Sequence, residues 1–351
     1  MITRGEMMTS HSSLTTRRAG VINLSHPHYN LGAEKLATWL ESDGWVVERF
    51  AGDPGLFGLG FDLVCLSAIF SWDVPKGVDI ALSAGCEVWA GGPAFLYMAE
   101  WWHQQTGLTA TVGLDSRFER QRGIYRMCFA ARGCPVGCHF CGVPQLEGKE
   151  YTFDWEFQPT PILCDNNLTD EPVAFQEHIV RRYQGSGVRL ADANSGFEPK
   201  NFTEETYQRW KPIMRGPWRF GYDYLPERSA AKRMLHILRE EPSKKKRVYV
   251  MIGNEPFDAC LQRANEVIEW GGEPYCQPFL PKTALSRKDY IIRHDWTADK
   301  LTHFARYFNR FLWKYTPLQE YRCGNKQPFN IISDLRIPLC SDTAKSEARA
   351  M

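Results

Sequence analysis

The chain has 351 residues, 43% hydrophobic and 24% charged, with 42 Lys+Arg against 41 Asp+Glu. This near-neutral balance leaves no global electrostatic case for nucleic acid or anionic lipid, and the longest apolar run, 63–72, is about half a membrane span. At roughly 100–200 residues per domain, the length predicts two domains with a tail.

Residues 1–18 carry no apolar segment of a secretory signal and read as a polar, disordered arm. From 19 to 115 short apolar runs alternate with helical patterns. Strands are predicted at 19–25, 45–50, 61–67 and 87–90. A helix is predicted over 33–42, where Leu36, Trp39 and Leu40 share a face and Asp43-Gly44 ends it. Buried strands alternating with helices predict an α/β domain with a parallel sheet. The charged stretch 116–123 reads as a linker.

A strand over 124–130 follows, then a cysteine-rich loop, and the alternation resumes. Strands are predicted at 161–165, 188–192, 219–222, 247–252 and 274–277. Helices are predicted at 171–183, 203–210, 227–239 and 258–270. Six strands with crossovers over 124–296 predict a parallel barrel or an incomplete one. The charge run 244–247 reads as a solvated turn. The tail, 297–351, reads as a helical extension with Leu301, Phe304, Phe308, Phe311 and Leu312 on one apolar face.

The cysteines are the informative residues. There are 11, an odd number without an export signal, which favours reduced thiols or metal ligands over a disulfide framework and places the chain in the cytoplasm. Cys134, Cys138 and Cys141 form a C-x3-C-x2-C loop. Thiolates at this density select iron–sulfur clusters or zinc. A structural zinc site needs four ligands, and no fourth cysteine lies between Cys141 and Cys164. Cys128 or His139 would have to complete it. Cys128 reads as a packing thiol and His139 as a residue outside the ligand set. Three cysteines leave one cluster iron open to a substrate or cofactor. Gly133, Gly137 and Gly142 permit positive φ and close backbone approach around such a group. Their N–H groups can tune it by bonding its sulfurs.

The loop, with Phe140 just before the third cysteine, resembles the signature of the radical S-adenosylmethionine superfamily. The resemblance implies a [4Fe–4S] cluster on Cys134, Cys138 and Cys141, with S-adenosylmethionine chelating the open iron. It implies reductive cleavage of that cofactor to a 5′-deoxyadenosyl radical, fed by a flavodoxin- or ferredoxin-type electron donor and acting on an unknown substrate. It implies a partial (β/α)6 TIM-type barrel with the loop at its C-terminal mouth. Phe140, Asp165, Asn166, Asn167, Asp223 and Gly253 then become cofactor-binding candidates. Asp192, Asn194 and Tyr222, at further strand ends, become substrate or catalytic candidates. Residues 165–167 read equally as an Asx-type turn.

The first domain is similar to the Rossmann-like cobalamin (B12)-binding module that precedes many such barrels. The similarity would make His28 a cobalt ligand and place Ser67, Gly91 and Gly92 along the nucleotide tail. The first loop lacks the usual aspartate of that module. Two other functions are compatible with the residues: a cobalamin-dependent radical methyltransferase, and a non-catalytic zinc or electron-transfer iron–sulfur protein.

Overall fold

The computed structural model describes residues 17–55 and 60–322. The expected arm up to residue 16, the tail beyond 322, and Cys323 and Cys340 lie outside the described residues. The chain is mixed α/β, built on parallel sheets. Among the described residues no helix is long and apolar enough to cross a membrane.

The first sheet comprises β1 (Arg18–Asn23), β2 (Val46–Ala51), β3 (Leu63–Ser67) and β4 (Glu87–Gly91) in the order β2-β1-β3-β4, all parallel. Arg18, expected in the arm, opens β1. The central strand β3 is buried along all five residues, which is why its sequence is continuously apolar rather than alternating. Helix α1 (Leu31–Ser42) starts on Asn30, whose side chain accepts from the Ala33 N–H. It covers one face of the sheet through Ala33, Ala37 and Leu40. A 3₁₀ turn (Ser71–Gly77), α2 (Val78–Ser83) and α3 (Phe95–Thr106) cover the other through Val74, Ile80, Phe95, Met98 and Trp102.

The charged stretch read as a linker folds as helix α4 (Ser116–Glu119). Glu119 anchors it, pairing with Lys35 of α1 and Arg132. The next strand is shorter than expected. Only β5 (Met127–Cys128) pairs in parallel, and Ile124 is fully exposed. After it, β6 (Ala131–Arg132) turns into an antiparallel ribbon with a later strand. The loop on this ribbon contains the three cysteines and α5 (Val143–Leu146), and β7 (Thr152–Phe153) closes it.

The remaining elements alternate: β8 (Ile162–Leu163), α6 (Val173–Ser186), β9 (Asp192–Ala193), α7 (Glu204–Trp210), β10 (Trp218–Gly221), α8 (Arg228–Ile237), β11 (Lys246–Ile252), α9 (Phe257–Glu269), β12 (Glu273–Pro278) and α10 (Ala298–Asn309). Strands β5-β8-β9 and β10-β11-β12 form two parallel three-stranded sheets. Parallel bridges Leu190↔Met214 and Phe197↔Phe220 join the two.

Along β10 and β11 one set of side chains (Trp218, Phe220, Val248, Val250, Ile252) enters the main core, and the alternate set includes Arg219 and Tyr249. Helix α10 packs Leu301, Phe304 and Phe308 into that core. It ends at Asn309, so Phe311 and Leu312 lie beyond it, and Phe311 takes a left-handed conformation (φ 56°). Lys246, expected in a solvated turn, opens β11 instead. Its 4% exposure lowers its pKa by burial.

Candidate functional site

The three cysteines lie on the loop carried by the β6–β7 ribbon, and all three are free thiols of intermediate exposure. Gly133 begins this loop at φ 92°, and a Cβ there would collide with the Glu150 carbonyl across the ribbon. Gly137 also has positive φ, at 67°. Gly142 does not: its φ is −90°, and its constraint is steric, because a Cβ would stand 2.8 Å from the Tyr97 hydroxyl.

One residue that sequence reasoning missed closes the loop. The side chain of Glu147 accepts from the Gly133 N–H (3.0 Å) and from Asn166 Nδ2 (2.6 Å), and its other oxygen pairs with Arg132 (3.0 Å). Only the Arg132-Gly133 start of the motif hinted that an acid would be needed. Asn166 also donates to the Gly133 carbonyl.

Three other elements reach the loop. His139 Nε2 lies 3.0 Å from the Tyr224 hydroxyl, beyond β10. Lys282, after β12, donates to the Cys141 carbonyl (3.2 Å). The Tyr97 hydroxyl of α3 donates to Gln145 (2.7 Å). Phe140 packs edge-on against His139.

The donors suit a cluster. A peptide N–H is directed at one of the sulfurs, Val143 at Cys141 (3.4 Å). Among the described residues no group of three Cys, His, Asp or Glu side chains is arranged to hold a metal ion. Burial raises the Cys134 thiol, and it raises Cys138 to about 11, helped by the adjacent Cys141.

The other candidates separate into two groups. Asp223 adjoins the loop: its charge reaches Cys138, and it accepts from the Met251 N–H (3.1 Å). Burial raises its carboxyl to about 6, with Glu227 adding to the rise. Asn167 makes the Asx turn through the Thr169 N–H (3.1 Å).

The rest are occupied elsewhere. Asp165 is buried, and both its oxygens accept backbone amides, from Ala130 (2.7 Å) and Ala131 (3.0 Å). The Tyr222 hydroxyl donates to Glu266 of α9 (2.8 Å) within the core. Asp192 forms a two-point pair with Arg219 (2.6 Å each). Asn194 is exposed, and its backbone N–H joins β8 through Leu163. Gly253, at φ 89°, packs against Leu301 of α10. Cys128 is buried beside the Tyr183 hydroxyl of α6 (3.8 Å), as expected of a packing thiol.

In the first sheet the residues read for cobalamin are satisfied by their own chain. His28 sits edge-on to Phe70, and its Nε2 lies 3.4 Å from the Arg287 guanidinium. Ser67 Oγ accepts from Asn30 (3.0 Å). Gly91 accepts from the Ala68 N–H, and a Cβ on Gly92 would stand 2.6 Å from the Ala68 carbonyl. Of these residues His28 is exposed, whereas Ser67 is buried. No known family model and no curated protein sequence matches this chain.

Proposed function

We propose that this chain is a radical S-adenosylmethionine enzyme, with Cys134, Cys138 and Cys141 holding a [4Fe–4S] cluster. The observation that carries the reading is the C-x3-C-x2-C loop tethered at the ends of parallel strands, where Asn166 follows β8 and Tyr224 follows β10. The strand order β2-β1-β3-β4 supports a Rossmann-like first domain over 19–115. The run β5-β8-β9-β10-β11-β12, joined by bridges, supports a partial (β/α)6 barrel over 124–296.

When bound, the cluster would supply one electron to split the sulfonium C–S bond of S-adenosylmethionine into a 5′-deoxyadenosyl radical and methionine. The chain's own residues do the rest. Gly133 and Glu147 fix where the loop leaves the ribbon. The Val143 amide stabilises charge on the Cys141 sulfur. Asn167, Asp223, Tyr224 and Lys282 border the loop and supply polar groups for the cofactor's amino, carboxylate and ribose ends. Pro135, Val136 and Gly137 are exposed and leave the loop open to a flavodoxin- or ferredoxin-type donor. A cytoplasmic location accords with free thiols and with the lack of a spanning helix among the described residues.

Anaerobic reconstitution with iron and sulfide tests the reading. Under reductant, wild type should release 5′-deoxyadenosine and Cys138→Ala should not. One zinc and no iron after anaerobic purification would replace this reading with a structural one.

A further inference from the structure

Beneath the cysteine loop lies a carboxyl pair that the proposed chemistry does not use. Asp165 follows β8, and Glu171 lies in the loop leading to α6; they are 1% and 3% exposed. Asp165 spends one oxygen on the Ala130 N–H and the other on the Ala131 N–H. These two amides lie just upstream of Gly133, where the cysteine loop begins. Among the described residues neither oxygen of Glu171 meets an N–H donor, and its polar neighbour is the Asp165 carboxyl. An ionised carboxylate buried without donors costs several kcal/mol, whereas a protonated one can donate.

We propose that Glu171 is held as a neutral acid that donates to ionised Asp165, and that this one-proton pair fixes the start of the cysteine loop. The acid supplies Asp165 with a third hydrogen bond, so the carboxylate stays charged and grips both amides. Burial and the neighbouring Asp165 charge both push the Glu171 carboxyl upward, which agrees with the geometry. The remaining charged or titratable neighbours are Arg132 of β6, Cys128 of β5, Cys164 after β8, Tyr151 before β7 and Tyr183 of α6. Of these, Arg132 is the cation, and its own ion pairs are with Glu119 and Glu147. Asp165 and Glu171 are positioning residues, acting through the backbone of 130 and 131.

The test uses the full chain without added metal, so its outcome is independent of the radical reading. The infrared difference between wild type and Glu171→Gln at pH 8 should contain the carbonyl band of a protonated carboxylic acid. Absence of that band overturns the proposal. Hydrogen exchange over the peptide containing Ala130 and Ala131 gives the second arm. Glu171→Gln keeps a donor and should exchange at the wild-type rate, whereas Glu171→Leu should exchange at least about tenfold faster there than elsewhere in β5–β8. Equal protection in the Gln and Leu variants would show that the donated bond positions nothing. Should the Leu variant not fold, the infrared arm still decides, and Asp165→Asn, which loses one acceptor, takes its place in the exchange arm.

Discussion

At the scale of single residues, the cysteine loop depends on side chains that are not themselves ligands. Glu147 satisfies a backbone N–H, an amide and a guanidinium with one largely buried carboxylate. Removing it leaves Arg132 with Glu119 as its ion-pair partner among the described residues, and leaves the Gly133 N–H without its acceptor. Glu147→Ala should therefore cost about 3 kcal/mol, the usual penalty for stripping one partner from a buried charged network. Urea unfolding measures that cost, and iron content after reconstitution should fall with it. Glu147→Gln, which keeps one acceptor oxygen, should cost less than half as much. Gly133→Ala meets both a forbidden φ and the Glu150 carbonyl. It should abolish iron retention even where the rest of the chain stays folded, which circular dichroism beside iron analysis would check.

At the scale of elements, α10 shows how a helix outside the sheets is fixed. Thr297 caps its start by accepting from the Lys300 N–H (3.1 Å). Phe304 then packs edge-on against Phe257 of α9 and Trp296. Phe304→Ala opens a cavity between α9, α10 and the β11 end and should cost about 3–5 kcal/mol; Phe304→Leu should cost under about 1.5 kcal/mol. Both show as shifts in the denaturation midpoint at constant slope. The loss should be felt at Gly253, which rests on Leu301 of the same helix.

At the scale of the whole molecule, the two parts of the chain meet around the cysteine loop. Tyr97 reaches Gln145, Ser71 donates to the Ala284 carbonyl, and Lys35 and Arg132 share Glu119. The acidic groups buried there shape the pH dependence of stability. Asp223 is the clearest, raised by burial from the usual carboxylate range to about 6. Its folded form binds a proton more tightly than the unfolded chain does. Stability through this group is therefore full below about pH 4 and declines as pH rises to about 6, by up to about 3 kcal/mol. Asp223→Asn should flatten that part of a stability-versus-pH curve while leaving the alkaline limb unchanged.

The local periodicities were enough to place the parallel strands of the first sheet, the helices α1, α6, α7 and α9, and the three cysteines on one loop, because burial and turn chemistry act over neighbouring residues. They failed where the deciding contact is distant in sequence. Within the charged stretch 116–123, helix α4 is held against the rest of the chain by Glu119, which finds Lys35 and Arg132. Lys246 is buried because its ammonium end lies against the Gly271 turn. Asp165 and Tyr222 look like site residues at strand ends, yet one bonds the backbone of a neighbouring strand and the other a helix behind the sheet. The sequence by itself determined the alternation of elements and the thiol spacing. Only the tertiary structure decided which polar groups face the loop and which are spent holding it, because a hydrogen bond between residues far apart in the chain leaves no trace in local pattern.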